Sequence, residues 1–212
     1  MSSLRLQAAH AVSKVLHAYA DWRIGATDEE KHCYKSSDSI LLTFDDYGSK
    51  EEVEEILDIL KQYDIKAMFF LQGSWAEEQS ELVAQIAEAG RVIGNHTYSH
   101  ATLLSLNDHA VTDEISRGVA SEWLRPPQGR YNKRIRKLAT ELGYKICYWT
   151  IDSRDWTGAS AETMRHTIRT ELQPGAVILC HLHGAHTREL LRTVIPEVHA
   201  KGLVFTSFAE TW

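Results

Sequence analysis

Two adjacent carboxylates, Asp45 and Asp46, end one short apolar run, and two histidines four residues apart, His96 and His100, follow another. Two imidazoles and one carboxylate form a common hydrolytic zinc set that leaves a position open for water. The i, i+4 spacing lets both imidazoles face one ion from a single turn. A second carboxylate beside that set, and not on the ion, takes the water's proton. The residues therefore predict a divalent metal held by His96, His100 and one of Asp45 and Asp46, with the other aspartate as base. Adjacent residues leaving a strand point different ways, so the two aspartates can divide these tasks. Each half is a weak signal alone. An HxxxH pair is more often two surface or capping histidines, and an aspartate after a strand often caps the next helix. Their placement at neighbouring strand ends carries the reading.

Three further clusters follow: Arg125, then Asp152 with Asp155-Trp156, then His181. His181 is the natural general acid, and Asp155 is the partner expected to hold its tautomer and keep it charged. Arg125 is expected to orient Asp45 through a charge-assisted pair. His183 and His186 read as solvated loop residues, with His183 at most at the rim.

The elements that must position these groups alternate. Short apolar runs at 40–44, 66–71, 91–94, 123–125, 144–151, 176–180 and 203–206 read as strands. Amphipathic stretches at 50–63, 76–89, 108–119, 133–142, 161–172 and 187–200 read as helices. Such alternation predicts an α/β domain with a mostly parallel sheet, open or closed into a barrel. Sites in these folds lie at the carboxyl ends of the strands, where the five clusters fall. Upstream, residues 4–22 have the spacing of an amphipathic helix and 27–38 read as a polar linker. The expected division is a helix and linker over 1–38 and a catalytic domain over 39–212.

The net charge of −6 argues against a general nucleic-acid binder and leaves a neutral glycan open as substrate. No stretch approaches the length of a membrane span. The first ten residues lack a signal-peptide pattern, so the chain as written reads as cytoplasmic. Cys33, Cys147 and Cys180 are an odd number at no metal-like spacing. A disulfide framework is not expected, and a reducing compartment is favoured.

From residue 39 onward the chain resembles the polysaccharide deacetylases with a NodB-homology domain, carbohydrate esterase family 4. Thr43-Phe44-Asp45-Asp46 matches TFDDG, and His96-Thr97-Tyr98-Ser99-His100 matches H-[ST]-x-x-H. Arg125-Pro126-Pro127-Gln128-Gly129 matches R-x-P-Y-G, Asp152 to Trp156 matches D-x-x-D-W, and Leu179-Cys180-His181 matches L-x-H. The resemblance implies a distorted (β/α) barrel of about seven parallel strands. It implies hydrolysis of N-acetyl groups on N-acetylglucosamine-containing glycans, chitin-like or peptidoglycan, in a family that is mostly exported or envelope-associated. By motif position Asp45 is the base and Asp46, His96 and His100 are the metal ligands. Arg125 positions the base, and His181 tuned by Asp155 is the acid. Trp156 and Leu179 line the acetyl pocket, the backbone N–H of Gln128 holds the oxyanion, and Pro127 adjoins the substrate. The ion is expected to be zinc, with cobalt, nickel or manganese open. The match departs at Tyr47, which displaces the motif glycine by one residue, and at Gln128, which replaces an aromatic. The stretch between His100 and Arg125 is also short. Competing readings are an acetylxylan esterase, a cyclic amide or imide hydrolase, and an inactive glycan-binding relative.

Overall fold

Strand β1 (Ser39–Asp46) is buried at every position, as a central strand of a parallel sheet must be. It pairs in parallel with β2 (Met68–Leu71) on one side and β7 (Val177–His181) on the other. Beyond β2 the sheet runs through β3 (Val92–Asn95), β4 (Trp123–Leu124) and β5 (Lys145–Ile146). Beyond β7 lies β6 (Ile151–Asp152), and the start of β1 also pairs with β8 (Val204–Phe205). The computed structural model describes residues 27–31, 33 and 39–206; the helix expected over 4–22 lies outside them. The seven-strand parallel path is the expected distorted (β/α) barrel.

One strand differs from expectation. The run 144–151, read as a single strand, forms two strands at opposite edges of the sheet. An apolar run carries no mark of where it changes partners. Residues 147–150 cross the gap between the edges and close the curl. Two carbonyls of this crossing, those of Cys147 and Tyr148, accept from Arg125, each at 3.0 Å. The arginine thus ties the closing segment to the sheet.

Side-chain alternation sorts β1 into two faces. Ile40, Leu42 and Phe44 pack with Val53, Ile56, Leu60 and Val194 from the surrounding helices. Leu41 packs inside the curl with Met68, Phe70, Trp123 and Val177. Each such buried side chain contributes roughly 1.5–3 kcal/mol. Thr43 and Asp45 share Leu41's side, so Asp45 points into the mouth of the barrel.

Helix Lys50–Gln62 starts directly after the site-bearing end of β1. A capping box fixes its start: Ser49 accepts from the Glu52 N–H, and the Glu52 side chain accepts from the Ser49 N–H. The helix expected over 76–89 is broken at Gln79 into Gly73–Glu78 and Ser80–Glu88. Asp108–Ser116, Lys133–Glu141, Ala161–Glu171 and Thr187–Ala200 form close to where periodicity placed them. Among the described residues no helix is long and apolar enough to cross a membrane.

The described part of 27–38 is docked, which corrects its reading as a linker. Asp28–Lys31 is a short helix, and buried Glu30 accepts from Tyr131 Oη at 3.0 Å and Arg136 Nε at 2.6 Å. Cys33 is bonded to Cys147 across a sequence separation of 114. The expectation of no disulfide is corrected with it. Only the fold brings these Cα atoms to 4.9 Å, so spacing in the sequence held no sign of the pair.

Candidate active site

Asp46 ends β1 with a left-handed backbone, φ 75°. Strand alternation would send it away from Asp45's side; this turn breaks the alternation and brings its carboxylate to the histidines. His96 follows β3, and the loop after it curls through left-handed residues at Thr97 and His100. The two histidines therefore converge from a strained loop and not from a helical turn. The loop is pinned: Asn95 Oδ1 accepts from the Thr97 N–H at 2.7 Å, and the Glu114 carboxylate accepts from Ser99 N and Oγ.

Asp46 Oδ1 lies 3.3 Å from His96 Nε2 and 3.2 Å from His100 Nε2. His96 Nδ1 lies 2.7 Å from the Arg125 carbonyl, which can only accept, so Nδ1 carries the hydrogen and Nε2 presents its lone pair. Asp46 Oδ1 is buried and has no hydrogen-bond partner among the described residues. A carboxylate oxygen facing the His96 lone pair is satisfied by a cation between them. Donors about 2.0–2.1 Å from a tetrahedral ion sit roughly 3.3 Å apart, which the two contacts match. The three donors fit one divalent ion. Burial, with His96 beside it, lowers the His100 pKa and keeps that ring in its ligating, neutral form.

Asp45 is held from the other side. Its Oδ1 accepts from Arg125 Nη1 at 2.6 Å, while Oδ2 lies 3.8 Å from His96 Nε2. Arg125 is fully buried, also donates to Thr43 Oγ1 at 2.8 Å, and lies over the Phe70 ring. The carboxylate is fixed through one oxygen and free at the other.

His181 ends β7, in register with Asp45. Its Nδ1 and backbone N–H both meet Asp155, at 2.7 Å each, and Thr187 Oγ1 donates to the same carboxylate at 2.5 Å. Burial alone would lower the imidazole's pKa; the bond to Asp155 and the surrounding carboxylates raise it to about 9. At neutral pH the ring is protonated, and with Nδ1 taken by Asp155 its Nε2–H is the available proton.

These groups open on one cleft of about 460 Å³, walled by Gln128, Arg130, Trp149, Asp152, Trp156 and Leu179. Gln128 sits at the tip of a tight turn with φ 58°. Trp156 is 59 % exposed, and its Nε1 reaches Asp152 Oδ1 at 3.3 Å. Pro127 is buried at the start of the Gln128 turn. Three groups escaped the sequence reading. Trp149 was counted inside a strand, Thr187 only as the start of a helix, and His183 as a loop residue. His183 stands 3.9 Å from Asp46 Oδ2. Its position two residues beyond His181 is the one signal that pointed there.

Residues 34–147 match the family model described as polysaccharide deacetylase. The chain is 37 % identical to a peptidoglycan-N-acetylglucosamine deacetylase of Bacillus cereus, over 84 % of this chain and 71 % of the relative. Its fold is similar to that of a peptidoglycan N-acetylglucosamine deacetylase solved with 4-naphthalen-1-yl-N-oxidanyl-benzamide. That superposition has a TM-score of 0.77 at 37 % identity, covering 82 % of this chain and 86 % of the other. It is also similar to a CE4 family pseudoenzyme from Bacillus anthracis, with a TM-score of 0.76 at 27 % identity. That match covers 80 % of this chain and spans 63 % of the pseudoenzyme chain.

Proposed function

The chain belongs to the polysaccharide deacetylase family, and from that premise we propose that it is a metal-dependent hydrolase removing the acetyl group of N-acetylglucosamine units in peptidoglycan. The observation that carries the chemistry is that one cleft holds three converging metal donors, an arginine-anchored carboxylate and an aspartate-anchored imidazole. The substrate rests on the likeness to the B. cereus enzyme.

Asp46, His96 and His100 would hold one divalent ion, zinc by the nature of the donors, with cobalt, nickel or manganese as alternatives. When bound, such an ion lowers the pKa of water to roughly 7 and polarises a carbonyl. Asp45 Oδ2 takes one proton from the water that attacks the acetyl carbonyl, because Arg125 occupies Oδ1. The backbone N–H of Gln128, at the tip of its turn, is the donor for the developing oxyanion. As the C–N bond breaks, His181 Nε2 gives its proton to the leaving nitrogen, and acetate and a free amino sugar result. Trp156 and Leu179 wall the space for the acetyl methyl.

The test is acetate release from peptidoglycan, acetylated chitooligosaccharides, acetylxylan and a cyclic imide, with zinc added and with zinc chelated. Peptidoglycan or chitooligosaccharide turnover that needs zinc is expected, and Asp45→Asn should lower it about 10²–10⁴-fold with zinc still bound. An active Asp45→Asn protein, or release from acetylxylan alone, would overturn the reading. The likeness to a pseudoenzyme makes an inactive glycan binder the competing reading. No acetate from any substrate would favour it; here every donor, the base and the acid are present.

A further inference from the structure

Two groups at the site are not used by this chemistry, and they touch each other. Tyr47 directly follows the ligand Asp46, and its ring stacks on His183 with centroids 5.0 Å apart and planes 15° apart. His181 meets the His183 ring edge-on at 5.7 Å. The imidazole of His183 is thus held between two rings. Its Nδ1 is buried and has no hydrogen-bond partner among the described residues. Buried polar atoms are seldom left without a partner, so such an atom asks for a reason. It points at the one oxygen of Asp46 that the histidine donors leave over: Nδ1 lies 3.9 Å from Oδ2, while Oδ1 faces His96 and His100. The two orphaned atoms, Asp46 Oδ1 and His183 Nδ1, lie on either side of one carboxylate.

We propose that His183 is a positioning residue for the metal. Its Nδ1–H closes on Asp46 Oδ2 when the ion binds, fixing the carboxylate with Oδ1 toward the imidazoles. Tyr47 is the plate that keeps the ring in place. The inference rests on the metal reading above. At 3.9 Å the contact is longer than a hydrogen bond, so it strengthens the loaded site and adds little to the empty one. It also gives a role to Tyr47, whose ring is 46 % exposed beside the cleft. A partner on the outer oxygen of a ligating carboxylate holds its orientation, and losing such partners typically costs about 10–100-fold in metal affinity.

The test is zinc affinity of the full chain, measured by competition with a chromogenic chelator, beside the thermal midpoint of the metal-free protein. His183→Ala should weaken zinc about 10–100-fold, with the metal-free midpoint unchanged. His183→Asn, whose amide N–H falls where Nδ1–H stood and which is a poor ligand, should restore most of the loss. Tyr47→Ala should weaken zinc less than His183→Ala does. An unchanged affinity with a lowered midpoint would make His183 a packing residue and overturn the proposal. An asparagine variant as weak as the alanine one would make His183 a direct ligand and overturn it too. His100→Ala separates the underlying reading: if wild type binds zinc no better than that variant, the metal site itself fails.

Discussion

Arg125 Nη1 donates to Asp45 Oδ1 at 2.6 Å with both side chains buried, and the rest of the same guanidinium is spent on Thr43, Cys147 and Tyr148. One planar fork therefore orients Asp45, the proposed base, and ties down the segment that closes the barrel. A lysine ammonium cannot reach these directions at once. Arg125→Lys should fold with a lower thermal midpoint and a kcat well below wild type, while zinc affinity changes little. Arg125→Ala leaves a buried carboxylate unpaired and should cost about 3–5 kcal/mol of stability. Urea unfolding and steady-state kinetics check both. A lysine variant with wild-type kcat would show that Asp45 needs only a nearby charge.

The Asp155–His181 pair should set the alkaline side of the pH profile if His181 is the acid. Burial lowers the His181 pKa and Asp155 more than reverses it, to about 9. Asp155→Asn removes the main raising charge, so His181 should lose its proton at lower pH. The alkaline limb of kcat should move down by more than about one pH unit, each unit being 1.36 kcal/mol of interaction. A bound cation lowers the value in both proteins, so the difference is the measurement. The stability sign follows. A histidine whose folded pKa exceeds its unfolded value stabilises fully below about 6.5 and loses that contribution as pH rises toward 9. Wild type should thus exceed the variant in thermal midpoint most near pH 6 and least near pH 9. Superimposable kcat profiles would refute the assignment of His181 as the acid.

The Cys33–Cys147 bond joins the docked N-terminal segment to the residue whose carbonyl receives Arg125 Nε. Cross-linking distant residues stabilises mainly by restricting the unfolded chain, typically by about 2–4 kcal/mol. Cys33→Ser should lower stability by that order and speed amide exchange over residues 27–31. Urea denaturation with and without reductant, followed by exchange mass spectrometry, checks this. If reduction leaves the wild-type curve unmoved, the bond adds nothing to stability.

What the sequence made legible follows from the range of each interaction. Asp45, Asp46, His96, His100 and His181 were readable because strand ends in a parallel sheet share one rim. The alternation of runs was enough for an α/β domain with a parallel sheet, while the closed, distorted barrel came from the family resemblance. The left-handed turns at Asp46, Thr97 and His100 were not readable, because none of the three is a glycine that would have marked them. The split of 144–151 between two sheet edges and the 114-residue reach of the disulfide are long-range facts that a local pattern does not hold. His183 was passed over for a related reason. Its stacking partner is Tyr47, far away in sequence and not in its own loop.

Gly184 is where the acid arm leaves no room. A Cβ there would lie 2.1 Å from Thr187 Oγ1 and 2.7 Å from Asp155 Oδ2. Both atoms belong to the bond that anchors Asp155. Gly184→Ala must push one of them aside, at an overpacking cost of about 1–3 kcal/mol. The Asp155 carboxylate is also held by the His181 N–H and ring, so the displacement passes to the imidazole. The variant should show a lower kcat and an alkaline limb moved toward that of Asp155→Asn. Thr187→Val keeps the space and removes only the hydroxyl, so it should fall between wild type and Gly184→Ala. If Gly184→Ala matched wild type in kcat and pH profile, the Asp155 anchor would be tolerant of displacement and the acid assignment would lose its geometric support.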